Sequence, residues 1–89
     1  MKIKLILSHK TEVGIFYIGQ SEDRKFHPIF DNVDYGSYYQ IWQAVEDIAN
    51  DCVGSILHPE AGDLLDICEY EIPEDPSEWE YILNNKNVN

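Results

Sequence analysis

The chain has 89 residues, enough for one small domain. Hydrophobic residues make up 44% and charged residues 26%, which excludes wholesale disorder. Seventeen Asp and Glu against six Lys and Arg give a formal net charge of −11, which argues against binding nucleic-acid backbones or anionic membranes, whose phosphates need cations.

The opening Met1-Lys2-Ile3-Lys4-Leu5-Ile6-Leu7 faintly imitates a signal peptide, with positive charge followed by apolar residues. Its apolar part is far shorter than the roughly 7–15 residues of an h-region. It reads better as a strand, with Ile3, Leu5 and Leu7 on the buried face. Ile15-Phe16-Tyr17-Ile18 follows as a second strand of high β-propensity. Ser21-Glu22-Asp23-Arg24 makes a polar turn into a third strand, Lys25 to Phe30. Pro28 cannot donate to a ladder, so that strand is an edge or is interrupted there. Three antiparallel strands in a meander are expected.

A helix over 37–52 comes next. Ser37 stands as N-cap with Gln40 three residues later, in capping-box spacing, and Gly54 is placed to end the helix. Ile41, Val45, Ile48 and Cys52 form its apolar stripe, widened by Trp42 and Ala49, with Gln43, Glu46, Asp47, Asn50 and Asp51 on the other face. Residues 55–58 and 63–67 flank Pro59-Glu60-Ala61-Gly62 as a short hairpin or a strand plus a loop. Asp75-Pro76-Ser77-Glu78 has the cap, proline and acid of a helix start. The short helix 76–83 would bury Trp79, Ile82 and Leu83. The fold class expected is α+β: one domain over 1–83, with a βββα core of three to five antiparallel strands. Residues 84–89 follow as a polar, fraying tail.

No stretch approaches the roughly 18 apolar residues of a membrane span, and a cytoplasmic location is expected. Cys52 and Cys68, 16 positions apart, read as two reduced thiols, with a single disulfide left open. Residues 1–30 hold five basic and three acidic residues, a net of +2. Residues 31–89 hold one basic and fourteen acidic, a net of −13. A folded unit would have a mildly basic end and a strongly acidic remainder.

Site chemistry is sparse. His9, His27 and His58 lie on separate elements, with neither a Cys-x-x-Cys nor a His-x-x-x-His pair, so no metal site is expected. Asp31-Asn32-Val33-Asp34-Tyr35-Gly36 opens like a calcium loop. Val33, Tyr35 and Trp42 would fall where that loop needs side-chain ligands, so the segment reads as a turn. Ser8 and His9 are neighbours on a strand and point to opposite faces. Cys52 falls on the apolar stripe of the helix. Pairs of acids are too many to be specific, and no Gly-rich phosphate loop is present. The expectation is a chain that is not an enzyme and carries no cofactor or metal.

Tyr35, Tyr38, Tyr39 and Trp42 cluster in sequence, but Asp31, Asp34, Glu46 and Asp47 occupy the places where a base-stacking surface needs cations. Trp42 is expected in the core and some of the tyrosines at the exposed helix start, where such rings anchor protein interfaces. The expected partner surface is Tyr35, Tyr38, Tyr39, Glu46 and Asp47, with Glu71, Glu74, Asp75 and Glu78 as a second acidic patch. The partner would be a basic protein surface, such as a nucleic-acid-binding defence complex or a toxin. The alternatives are an acidic surface that only solubilises, a homodimeric structural domain, and a small metal-dependent enzyme.

Several blocks resemble a group of small bacterial proteins with no assigned activity. They are Phe16-Tyr17-Ile18, Asp23-Arg24-Lys25-Phe26-His27-Pro28, Gly36-Ser37-Tyr38, Gln43-Ala44-Val45-Glu46-Asp47-Ile48-Ala49 and Ile72-Pro73-Glu74-Asp75-Pro76-Ser77-Glu78-Trp79-Glu80. The resemblance covers residues 16 to 80 and departs at Lys25 and from Asp51 to Cys68. In order of elements the chain also resembles the antitoxin domain of HicB-type toxin–antitoxin pairs, where a three-stranded meander precedes a Gly-Ser/Thr step and an Ala-rich helix. Gly36-Ser37 and Ala44 fit that step. The separate DNA-binding segment of those antitoxins has no counterpart in the sequence. What this resemblance implies is an antitoxin-like or inhibitory regulator, bacterial or phage-borne.

Overall fold

In the computed structural model, which describes residues 3–50, 56–57, 59–60, 62–82 and 87–88, the first third of the chain winds into an antiparallel meander. Its strands are β1 (Ile3–Thr11), β2 (Gly14–Ser21), β3 (Phe26–Phe30) and the short β4 (Val33–Asp34). Helix α1 (Ile41–Ala49) follows, then two 3-10 turns at Ile67–Tyr70 and Pro76–Glu78, then β5 (Glu80–Tyr81) and β6 (Asn87–Val88). The sheet runs β4-β3-β2-β1-β5, with β6 also paired to β1, and every pairing is antiparallel. The α+β class expected from the sequence is the fold observed. Among the described residues no helix is long and apolar enough to cross a membrane.

The alternation of Ile3, Leu5 and Leu7 predicts a single buried face, and here the structure differs. The register slips between Leu5, opposite Gly19, and Leu7, opposite Ile18. Ile6 is the extra residue of a bulge, and a bulge reverses which face the following side chains take. Ile3 and Leu5 therefore bury with Ile29 on one side of the sheet. Leu7 joins Phe16, Ile18 and Phe30 on the other. All three remain buried, as the sequence predicts, but in two cores.

The larger core lies under α1, which contributes Ala44, Val45, Ile48 and Ala49. Phe16 and Phe30 stack at its centre, with ring centroids 4.2 Å apart. Ile56, Leu65, Ile67, Ile72 and Trp79 close it from the second half of the chain. Burial on this scale is the main stabilising contribution, at about 1.5–3 kcal/mol for each large apolar side chain.

Pro28 interrupts the sheet on the outer side of β3, as expected. Its carbonyl accepts the Tyr35 N–H at 2.9 Å, while β4 pairs only with Ile29 and Phe30. Beyond the proline, contact resumes at Phe26, which exchanges two backbone hydrogen bonds with Tyr38 at 2.7 and 2.8 Å.

That exchange corrects the helix start. Ser37 is not the cap: its neighbour Tyr38 is held in an extended bridge, so the chain is free to coil only from Gln40, the observed N-cap. The capping partner is Gln43, whose Oε1 accepts the Gln40 N–H at 3.2 Å. Asn50 closes the helix, its N–H donating to the Glu46 carbonyl. The expected continuation through Cys52 to Gly54 lies outside the described residues, as do His58 and Leu83.

Of the short hairpin or strand plus loop expected over 55–67, the described residues show one bridge between Leu57 and Leu64, supported by the Leu65 N–H on the Ile56 carbonyl at 2.8 Å. The C-terminal helix of 76–83 is shorter, a single 3-10 turn. Asp75 caps it and Pro76 opens it as predicted. Trp79 then turns extended, so that Glu80 and Tyr81 pair with Ser8 and Leu7. The buried Trp79 indole donates to the Pro73 carbonyl at 2.9 Å and lies 5.6 Å from the His9 ring. In the stretch expected to fray, Asn87 and Val88 pair with Lys4 and Ile3.

Candidate binding groove

Two neighbouring pieces of chain build an open groove of about 370 Å³. One wall is the bridge segment, Ser37, Tyr38 and Tyr39. The other is the first turns of α1, with Trp42, Gln43, Glu46 and Asp47. The bridge segment reaches its place through Gly36, whose φ of +156° lies outside the range favoured by residues with a side chain. A Cβ there would stand 3.1 Å from the Tyr38 ring. The Gly36 N–H is tied to the Asp34 carboxylate at 3.0 Å.

Trp42 is the main correction to the expected site. It is 51% exposed and is not a core residue. The buried stripe of α1 is centred on Ala44, Val45, Ile48 and Ala49, and Trp42 falls on its flank, with about half of its surface uncovered. Its bulk suggests core, and its spacing of three residues from Val45 and seven from Ala49 puts it at the edge of the buried stripe; in the first turn of α1 it still stands half exposed. Beside it Tyr39 is 76% exposed. The Lys25 ammonium stands 5.2 Å from the Tyr39 ring centroid, and its partner on the other side is Asp23, at 4.0 Å.

Of the residues expected at a partner surface, the structure brings Tyr38, Tyr39, Glu46 and Asp47 together here. Tyr35 is not among the lining residues. It is half-buried against the larger core, and that burial, with the Asp31 charge, pushes its phenol above the usual range. Glu71, Glu74, Asp75 and Glu78 are exposed and line no part of the groove. Asp75 has a local task. Its carboxylate accepts the Ser77 N–H and hydroxyl, both at 2.9 Å, and these bonds hold it below the ordinary value of 3.8.

A second polar group was hidden in the sequence by its dependence on strand register. His27 is buried, with Nε2 2.9 Å from the Ser21 hydroxyl and Nδ1 3.0 Å from an Asp34 oxygen. Gly19 pairs with His27, so Ser21, two residues on, is its diagonal neighbour on the same face. The order Ser–His–Asp is that of a nucleophile, a base and an orienting acid. Ser21 is only 5% exposed, however, and its one proton has three acceptors in reach: Asp23, the Lys25 carbonyl and His27. The bond to Ser21 is the chief cause that holds the Asp23 carboxyl below its usual value. The arrangement is a buried strut tying β2, β3 and β4 together.

Among the described residues no three His, Cys, Asp or Glu side chains gather to hold a metal ion. No family model, curated protein or solved structure matches the chain.

Proposed function

We propose that this chain is a non-enzymatic, acidic protein-binding module that docks on a basic partner through the groove at the start of α1. In this reading it is a cytoplasmic inhibitor or antitoxin-like regulator, bacterial or phage-borne, and its partner is a nucleic-acid-binding protein or a toxin. The observation that carries the reading is the pairing of exposed Tyr39 and Trp42 with Glu46 and Asp47 in one concavity. Aromatic anchors supply contact area at low entropic cost, and the net charge of −11 supplies attraction to a cationic surface. The enclosure of Ser21 supports a role without bond-making chemistry.

The test uses a fluorescent oligo-arginine peptide as the basic probe. Reversing charge at the groove, Glu46→Lys with Asp47→Lys, is expected to weaken binding by about tenfold. The same reversal at Glu74 and Glu78 changes net charge equally and is expected to have a much smaller effect. The melting temperature should shift alike in both, since each pair changes the net charge by the same amount. Equal weakening by the two pairs would reduce the acidic surface to a diffuse field and overturn the docking role.

A further inference from the structure

We infer that the groove is a receptor for a single arginine side chain, with Trp42 as its stacking plate and Glu46 and Asp47 as its anionic wall. The inference rests on the docking role proposed above and adds a ligand chemistry to it.

Trp42 and Glu46 are one helical turn apart and therefore share a face of α1. A group lying flat on the indole is thus within reach of a carboxylate. The opposite wall offers Tyr39, whose ring already holds a cation, the chain's own Lys25. None of the lining residues is itself basic, and on the helix wall Glu46 and Asp47 attract a positive ligand. The groove's 370 Å³ falls at the small end of ligand sites, which span about 300–1,000 Å³. Its open form suits a side chain arriving on another protein better than an engulfed metabolite.

Guanidinium is favoured over ammonium for a geometric reason. It is planar and weakly hydrated, so it stacks on an indole while its N–H fork still points at carboxylates. An ammonium is compact and strongly hydrated, and meets the same ring only as a point charge. Lys25 beside Tyr39 would compete with the ligand for that ring, which leaves Trp42 as the free plate.

The experiment titrates the full chain with Nα-acetyl-arginine amide and, separately, Nα-acetyl-lysine amide, following the indole N–H resonances. Trp79, buried and bonded to Pro73, is the internal reference for folding. The Trp42 signal is expected to shift saturably in the millimolar range, with arginine tighter than lysine by about fivefold. Trp42→Ala should abolish the preference for arginine, read from other groove resonances. Trp42→Phe should keep part of it, and both variants should leave the Trp79 signal in place. Equal affinity for the two amino acids, or an arginine preference surviving in Trp42→Ala, overturns the receptor. If oligo-arginine binding still depends on Glu46 and Asp47, that failure leaves the docking role standing. If it does not, the docking role fails as well.

Discussion

Gly19 sits where β2 passes beneath Ile3 and Ile29. A Cβ at this position would collide with the Ile3 side chain and approach Ile29 Cδ1 to 3.2 Å. Gly19→Ala is therefore expected to destabilise the protein by about 1–3 kcal/mol, measured by urea unfolding, because the smaller core has no slack on that side. The residue scale is also where a side chain's address is easily misjudged. Trp42 has the character of a core residue, yet at the edge of the buried stripe and in the first turn of α1 it stands half exposed. That Tyr38, Tyr39, Glu46 and Asp47 come together in one groove was legible because they are close in sequence and flank one helix start. Tyr35, equally close, packs against the larger core before the chain turns at Gly36.

Elements were read well where the signal is local. The three long strands follow from alternation and β-branched runs, and Asp75-Pro76 marks its turn by the usual cap chemistry. What escaped is what partners impose. The bulge at Ile6 exists only in pairing with β2, and α1 starts late because Phe26, far earlier in the chain, captures Tyr38. The last helix is cut short because Glu80 and Tyr81 are drawn to β1. The cap of that turn gives a prediction. The Asp75 carboxyl is depressed in the folded state relative to its ordinary 3.8, so its contribution is present above that value and is lost as pH falls below it. Asp75→Asn should lower stability at neutral pH and flatten the loss between about pH 4 and pH 2, as followed by circular dichroism. An unchanged acid profile would mean that the Ser77 bonds do not distinguish folded from unfolded chain.

At the scale of the whole molecule, an excess of eleven negative charges sits on a body of 32 × 25 × 22 Å. At about 0.01 M salt the screening length is about 30 Å, so nearly every carboxylate feels every other; at 0.15 M it is about 8 Å. Raising sodium chloride across that range is expected to raise the melting temperature while weakening oligo-arginine binding. A melting temperature that fell with salt would mean that attractive pairs outweigh self-repulsion. The same body joins a sheet packed on two sides to a groove drawn from one stretch, Ser37 to Asp47. That stretch is pinned to the sheet through the backbone of Tyr38, and a backbone tie does not depend on which side chains flank it. Side-chain substitutions at the exposed positions of that stretch, Tyr39 and Trp42 among them, are thereby expected to leave the sheet beneath intact.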